Sequence, residues 1–418
     1  MKEFTGYQYL LIDIANNFNL DLDKEIFEDR IAWTEANLAD LEQLAVGEEW
    51  KERPMYLKAV QALRLTQEGI PTGHLVGLDA VCSGMQIMSA ITGCIDGARA
   101  TGLVDLNRRA DAYTDCTSLM NKDLGTTLNI LRKNVKQAVM TSLYGSKQEP
   151  KNEFGEDTPE LNSFYKALYK MAPGACELLE DLLASWQPYA KEHAYTLPDN
   201  FQVFVKVMTQ VEHRIEVDEL AGASFSYSYY ENQGVKTGVK NAANIVHSID
   251  GYLLRSLIRR CNYDLERVTE VSLLIQAELM GTYSHTCHPI WIEDNNPAAY
   301  TCLKNWEWSG IADPVILQHL DLNTIQCLPS AYLIQLNLVL STMLEYKPFE
   351  IVTVHDDFRA HPNNLNQLRK HYRNILADLA DSTILVGILD QIHGTPGTYD
   401  KRMPNLGDTI RHSNYAIC

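Results

Sequence analysis

Arg132, Lys136, Met140 and Tyr144 follow one another at four-residue intervals, within residues 124–148, which carry four basic side chains and no acid. Side chains four residues apart share one face of a helix, so a helix here would align the two cations with the aromatic ring. Arg and Lys side chains bind the oxygens of a polyphosphate, and an aromatic ring can contact a sugar or a base. Taken alone, an ordinary solvated helix with scattered lysines is the better explanation.

The helix that would position these residues needs an apolar face against a core. Such a stripe is present at helical spacing, and it comprises Leu128, Leu131, Val135, Val139 and Leu143. Gly145 stands where this helix is expected to end.

Asp79 is the only formally charged side chain in residues 71–95. An apolar run at 75–78 predicts a strand, the small residues at 80–84 predict a turn, and the apolar spacing that follows predicts a helix. A lone carboxylate is costly to bury unless it is paired or binds a metal. Asp79 is therefore a candidate metal ligand, although in isolation a turn residue or helix cap is the likelier explanation.

A second apolar run, residues 351–354, leads into His355, Asp356 and Asp357. Two strand-end carboxylates far apart in the sequence are what a two-metal phosphoryl-transfer site requires. Mg²⁺ suits such a site, because it takes oxygen ligands and often uses only one or two carboxylates together with substrate phosphates. In combination with the basic helix, the two acids favour this chemistry over separate structural roles.

Four segments resemble motifs of the bacteriophage-type single-subunit DNA-directed RNA polymerases, the family of the T-odd coliphage enzyme. Residues 79–86 resemble motif A, residues 132–146 motif B, and residues 354–358 motif C; residues 246–251 resemble the segment that joins the fingers to the palm. The four segments follow the order of the family. The resemblance implies an α+β right-hand polymerase fold, helix-rich, with palm and fingers and a small antiparallel palm sheet.

The resemblance also implies roles for individual residues. Asp79 and Asp356 would hold two Mg²⁺ ions, with the Ala80 carbonyl as an additional metal ligand. Arg132 and Lys136 would bind the phosphates of the incoming nucleotide. Lys136 would also act catalytically by giving a proton to the departing pyrophosphate.

Three further residues concern the sugar and base. By resemblance, Tyr144 would lie beside the ribose and the templating base, and His247 matches a histidine that contacts nucleotides in the active site.

An A-type DNA polymerase or a primase with the same metal site is the alternative function. A-type DNA polymerases typically carry a glutamate where this chain has Gly84, and glycine leaves room for the 2′-hydroxyl. Asp357 departs from the serine that is usual in the RNA polymerases, and its role stays open.

The motifs divide the chain into four expected parts: a helical segment (1–70), a first palm part (71–95), the fingers (96–246), and a second palm part (247–418) with an insertion at about 262–345. Alternating residues at 201–211 and 224–230 predict a β-hairpin within the fingers. His285, Cys287 and His288 are crowded together, but they have no matching second pair of ligands, so zinc is not the favoured reading.

The length of 418 residues is short for this family, so most of the N-terminal domain and the thumb are expected to be absent. In this respect the chain resembles the larger, palm-and-fingers subunit of an Enquatrovirus-type two-subunit phage RNA polymerase. The partners implied are a smaller, more basic phage subunit that supplies the missing regions, the DNA template, the RNA product, ribonucleoside triphosphates and a single-stranded-DNA-binding protein. The expected location is the cytoplasm of an infected bacterial host, and no membrane partner is expected.

The overall charge qualifies this interpretation. The chain has 36 Lys+Arg against 54 Asp+Glu and a formal net charge of −18, which argues against generic nucleic-acid binding. Basic residues are nevertheless concentrated in places, as in residues 233–260, where five bases accompany the single acid Asp250. Basic islands in an acidic surface suit a channel that contacts the nucleic-acid backbone only where it is needed.

Overall fold

The structure, a computed structural model, describes residues 1–125, 129–207, 209–231, 238–281 and 289–418. Within these residues it is helix-rich, with short strands in small antiparallel sheets, which confirms the α+β class. None of the described helices is both long enough and apolar enough to cross a membrane. The crowded His285, Cys287 and His288 lie outside the described residues.

The helices are numbered in chain order. In the first half of the chain they are α1 Gly6–Asn16, α2 Phe27–Ala36, α3 Arg53–Gln67, α4 Ser83–Thr92, α5 Ile95–Ala100, α6 Ala112–Leu124, α7 Arg132–Ser142, α8 Gln148–Phe154, α9 Pro159–Met171 and α10 Pro173–Ala184. In the second half they are α11 Val239–Cys261, α12 Leu265–Leu279, α13 Pro289–Asn295, α14 Pro297–Ser309, α15 Leu322–Cys327, α16 Ser330–Met343, α17 Leu365–Asp381, α18 Ile384–His393 and α19 Leu406–Ile410.

The strands form one three-stranded sheet and two hairpins. They are β1 Val76–Asp79, β2 Glu192–Thr196, β3 Gln202–Lys206, β4 Thr209–Val217, β5 Ala223–Glu231, β6 Val352–Val354 and β7 Asp357–Ala360. The three-stranded sheet has the order β1-β7-β6 and is antiparallel throughout. The two segments with strand-end acids are therefore hydrogen-bonded neighbours, although more than 270 residues separate them in the chain.

The alternation of side chains across this sheet directs the acids to one face. Leu78 and Phe358 are paired and buried, and the Phe358 ring packs on Tyr372 of α17 with ring centroids 5.4 Å apart. Successive residues of a strand point to opposite faces, so Asp79 and its partner Asp357 lie on the other face, away from α17.

The N-terminal helices α1–α3 pack beside this sheet. α1 begins with a capping box in which Thr5 and Gln8 bind each other's backbone N–H groups. Its buried Asp13 is bonded to the ring of His74 at 2.7 Å, which ties α1 to the segment that precedes β1. Helices are thus present in residues 1–70, while the division of the chain into palm and fingers stays a prediction.

The predicted hairpin over residues 201–211 and 224–230 is wrong in its first strand. β3 pairs with β2, whereas β5 pairs with β4, which begins only at Thr209. The alternating pattern continues through the break between β3 and β4, and such a pattern does not specify the pairing partner. Tyr227 and Tyr229 stack on His213 of β4, with ring centroids 5.6 and 5.5 Å away, and form an exposed face of this second hairpin.

Helices α12–α16 have a hydrophobic core of their own. It is separate from the larger core around the three-stranded sheet and includes Val271, Ile275, Leu333 and Leu336. The segment about 262–345, predicted as an insertion, is therefore helical around its own buried cluster in the described residues. Its status as an insertion relative to the family stays a prediction.

A buried ion-pair network attaches this segment to α11. Asp313 accepts hydrogen bonds from Tyr252 at 3.0 Å, Ser256 at 2.8 Å and Arg259 at 2.9 Å. Arg259 also pairs with Asp199, which lies in the turn between β2 and β3, at 3.0 Å. Both carboxylates are 1% exposed, so each is satisfied by protein groups that replace water.

Replacing Asp313 with alanine should therefore destabilise the protein strongly. The change leaves the partly buried Arg259 with one partner fewer and removes the buried acceptor of Tyr252 and Ser256, at an expected cost of about 3–5 kcal/mol. Asp321→Ala is the control, because Asp321 is exposed and caps only α15, with an expected cost of about 1 kcal/mol. Unfolding in urea measures both, and equal losses would contradict the prediction.

Candidate active site

The segment that carries Asp79 forms strand, turn and helix as predicted. β1 ends at Asp79, and α4 begins at Ser83 after a turn in which Cys82 adopts a left-handed conformation, with φ of 56°. Left-handed backbone is uncommon for residues other than glycine and often occurs at functional sites. Backbone bonds fix the turn, because the Ala80 N–H donates to the Asp356 carbonyl at 3.2 Å.

The Asp356 segment is a tight hairpin between β6 and β7. Val354 pairs with Asp357, so His355 and Asp356 alone form the turn, and His355 is left-handed with φ of 56°. Asp356 thus faces the Asp79 turn from the neighbouring strand end. The sequence prediction of a strand ending in acids is correct for β6, but Asp357 belongs to the returning strand.

The surroundings of Asp79 disfavour its negative charge. Partial burial, then the charges of Asp356 and Asp357, raise the pKa of Asp79 to about 6, against the opposing effect of Lys136. Burial and the charge of Asp356 likewise raise the pKa of Asp250, on α11, to about 6. The site therefore has more negative charge than its own cations balance.

Asp357 is held by an arginine of its own strand. The Arg359 Nε donates to Asp357 Oδ2 at 2.7 Å. The carboxylate lies over Gly77 of β1, where a Cβ would come within 2.6 Å of Asp357 Oδ1. The chain accommodates this acid by pairing it with Arg359 and by having no side chain at Gly77.

The carboxylates of Asp79 and Asp356 are the oxygen ligands that this site offers to a metal ion. Among the described residues, no group of three or more His, Cys, Asp and Glu side chains could hold a metal ion by itself. Mg²⁺ does not need one, because it commonly keeps several waters and uses one or two carboxylates with substrate phosphates. Two hard oxygen ligands, Asp79 and Asp356, in a site with excess negative charge fit that ion.

The basic helix is shorter than its sequence pattern suggested. α7 begins at Arg132, so Leu131 precedes it and is 61% exposed, which makes the predicted apolar stripe wrong at that position. Leu128 lies outside the described residues. Val135, Val139 and Leu143 are buried as predicted. Tyr144 follows the end of the helix, where Gly145 takes a φ of +87°.

The two cations of α7 lie over a ring that sequence reasoning missed. The Arg132 guanidinium carbon is 5.4 Å and the Lys136 Nζ 5.6 Å from the ring centroid of Tyr113, on α6. The Tyr113 hydroxyl and the thiol of Cys82, in the Asp79 turn, are close enough to affect each other's pKa. Because Lys136 also lowers the pKa of Asp79, the basic helix and the acids form one site.

The residues predicted to contact the sugar and base also meet. The rings of Tyr144 and His247 are stacked, with centroids 4.4 Å apart and planes 8° from parallel. A Cβ added to Gly84 would lie 2.8 Å from the Tyr144 hydroxyl oxygen. The absence of a side chain at Gly84 therefore lets Tyr144 occupy its place on His247, and burial lowers the pKa of that histidine.

The structure thus brings every predicted site residue into one region. Three further residues, which the sequence analysis did not propose as site residues, lie in the same region. Asp111 binds Arg132, Tyr113 lies under both cations, and Asp250 lies near Asp356. Asp111 precedes a helical pattern, so sequence could have marked it as a helix cap. Its second contact, to a side chain 21 residues later, has no signature in the spacing.

Paired carboxylates opposite paired cations, with an aromatic stack beside a glycine, make an arrangement suited to nucleotidyl transfer. Comparison with known proteins supports that class, since residues 2–156 match the family model described as DNA-dependent RNA polymerase. The mitochondrial DNA-directed RNA polymerase 1 of Arabidopsis thaliana is 31% identical over 172 residues, which are 34% of this chain and 18% of that protein. The DNA-directed RNA polymerase of Pseudomonas phage phiKMV is 25% identical over 338 residues, which are 67% of this chain and 40% of the phage protein.

These relatives are considerably longer than the matched region. The chain spans less than half of the length of either relative. The similarity therefore supports the phage-type RNA polymerase family for the matched residues.

The raised pKa of Asp79 predicts a pH-dependent stability. Because the folded pKa of about 6 exceeds the unfolded value, folding favours the protonated acid, and this contribution is lost as the pH rises from about 4 to about 6. In a chelating buffer, Asp79→Asn should therefore raise the melting temperature more at about pH 8 than at about pH 5. Asp96→Asn, which removes an exposed acid, is the control. Thermal unfolding at the two pH values measures the effect, and a gain independent of pH would contradict it.

Proposed function

We propose that this chain is the catalytic subunit of a phage DNA-directed RNA polymerase, which adds ribonucleotides to an RNA 3′ end on a DNA template. The observation that carries the proposal is the joining of Asp79, Asp356 and Lys136 in one site from three distant segments. The similarity to DNA-directed RNA polymerases of a phage and of mitochondria supports the same conclusion.

In this proposal each group of residues has a task. Asp79 and Asp356 are the carboxylates that would hold two Mg²⁺ ions, and the Ala80 carbonyl would be a further ligand. When bound, the ions supply activation of the attacking hydroxyl and stabilisation of the leaving oxygen. Arg132 and Lys136 bind the triphosphate, so that the RNA 3′-hydroxyl attacks the α-phosphate in line and pyrophosphate departs.

Lys136 is the proton donor of this scheme. Its ammonium group is close enough to Asp79 to lower the pKa of that acid, and it lies 5.6 Å from the ring centroid of Tyr113. A proton given by Lys136 to the leaving oxygen balances the proton lost by the 3′-hydroxyl.

The Tyr144–His247 stack is the surface that faces the sugar and base of the incoming nucleotide. Its geometry also bears on the alternative, an A-type DNA polymerase or primase with the same metal site. The hydroxyl of Tyr144 already occupies the space beside Gly84. A glutamate there, as in A-type DNA polymerases, would displace the ring, so the arrangement favours ribonucleotides.

The partners belong to the proposal as well. By the resemblance of its motifs, the chain would act with a second, smaller and more basic subunit of Enquatrovirus type that supplies the N-terminal and thumb regions. A single-stranded-DNA-binding protein would assist at promoters, and the complex would act in the cytoplasm of the infected bacterium.

Extension of an RNA primer on a preassembled RNA–DNA scaffold tests the catalytic proposal, because the scaffold bypasses promoter recognition. With Mg²⁺ and ribonucleotides, the chain together with any partner subunit should extend the primer, and Asp356→Asn should lower the rate by a factor of at least about 10³. Asp408→Asn removes an acid distant from the sheet and should leave the rate unchanged. Extension with deoxyribonucleotides alone would refute an RNA polymerase.

The sugar preference has a separate test at Gly84. Gly84→Glu should suppress ribonucleotide incorporation selectively. Gly84→Ala should reduce extension by pushing the Tyr144 ring off His247, and adding Tyr144→Phe should restore part of the loss, because the nearest remaining ring atom is 3.3 Å from the new Cβ. The ratio of the two kcat/KM values, for ribo- and deoxyribonucleotides, measures the effect. Equal loss with both sugars in Gly84→Glu would contradict the assignment.

A further inference from the structure

Asp111 has two separate tasks, one for each carboxylate oxygen. Oδ1 caps α6, because it accepts hydrogen bonds from the backbone N–H groups of Tyr113 at 3.1 Å and Thr114 at 3.3 Å. Oδ2 accepts from the Thr114 hydroxyl at 2.7 Å and from Arg132 Nε at 2.8 Å. A simple cap needs only the first set of contacts, so the second set requires its own explanation.

These contacts fix Arg132 along one edge only. Its Nε binds Asp111 and lies 3.1 Å from the Thr114 hydroxyl. Among the described residues, the two terminal nitrogens of Arg132 make no hydrogen bond, and the side chain is 35% exposed. A guanidinium held at Nε keeps its outer edge, with both terminal nitrogens, for a second planar acceptor such as a phosphate.

The same turn of α6 also supports the second cation. The Tyr113 ring lies within 5.6 Å of both Arg132 and Lys136, and a ring face stabilises a nearby cation. Tyr113 is 9% exposed, and its hydroxyl lies near the thiol of Cys82. The first turn of α6 therefore links the Asp79 turn with the start of α7.

We propose that Asp111 is a positioning residue for nucleotide binding, which acts by orienting the Arg132 guanidinium toward the triphosphate. The inference rests on the proposed function, since it assumes that Arg132 binds phosphate. Asp111 is 11% exposed and its Oδ2 is occupied by Thr114 and Arg132, so its charge is directed at the arginine and away from the open side of the site. We therefore expect the gain from orienting the Arg132 guanidinium to exceed the electrostatic repulsion between Asp111 and the triphosphate.

Asp111→Asn separates the two tasks. Asparagine is as good a helix cap as aspartate, so α6 keeps its start, while the ionic acceptor of Arg132 is lost. The KM for ribonucleotides on the RNA–DNA scaffold should rise about tenfold, the size of one charge-assisted hydrogen bond, with kcat changed less than about twofold. Asp115→Asn is the matched control, because it removes one acid of the same helix that pairs with Arg108 instead.

A double-variant cycle tests whether Asp111 acts through Arg132. In an Arg132→Gln background, Asp111→Asn should change the KM less than about twofold, because no guanidinium remains to be oriented. An unchanged KM in the single variant, or the same rise in both backgrounds, would overturn the inference. A lowered KM would overturn it too, since it would mean that Asp111 withholds Arg132 from the nucleotide.

Equilibrium binding distinguishes failure of this inference from failure of the proposed function. ATP with Mg²⁺ is titrated into the wild type and into Asp111→Asn, and the Kd is measured without turnover. A weaker Kd in the variant by about tenfold supports the inference whether or not the primer is extended. Equal Kd values overturn it and leave the polymerase proposal intact, whereas a wild type that neither binds ATP nor extends the primer refutes both.

Discussion

The site depends on acids that are partly buried, that repel one another, and that the backbone holds together. Asp79 and Asp356 come from turns joined by a hydrogen bond between Ala80 and Asp356, and the pairing of β1 with β7 fixes their distance. Neither turn can move away from the other without breaking hydrogen bonds of the sheet. The cost of keeping Asp79 charged beside Asp356, in a partly buried place, therefore appears as a raised pKa of Asp79. A divalent cation removes this cost, and the folded chain is in this sense prepared for one.

Arg132 and Lys136 are not paired with the acids of the sheet, so their hydrogen-bond donors remain available to a substrate. If Arg132 and Lys136 paired directly with the acids of the sheet, they would neutralise the place where a metal and a triphosphate belong. Instead Arg132 is bound to Asp111, and both cations lie over the neutral ring of Tyr113. The charge of Lys136 therefore reaches Asp79 at longer range, while the donors of both cations remain open to a substrate.

The sequence predicted those features that local pattern determines. The strand, turn and helix around Asp79, the strand that leads to Asp356 and the buried positions Val135, Val139 and Leu143 all follow from short-range periodicity and turn chemistry. The sequence did not predict which of these elements contact one another. The pairing of β3 with β2 and the contact between Asp111 and Arg132 depend on which segments meet in three dimensions, and neither spacing nor propensity records that. Gly84 was noted for its bearing on the sugar, whereas the steric reason, the hydroxyl of Tyr144, required coordinates.

Helix α11 joins two regions that otherwise have little in common. His247 stacks on Tyr144 near its beginning, and Arg259, three turns later, is clamped by Asp199 and Asp313. The helix separates the two attachments by roughly 18 Å. Gly251 lies between the two, and a glycine makes a helix easier to bend at that point. Bending of α11 between its two attachments is therefore expected to be concentrated at Gly251.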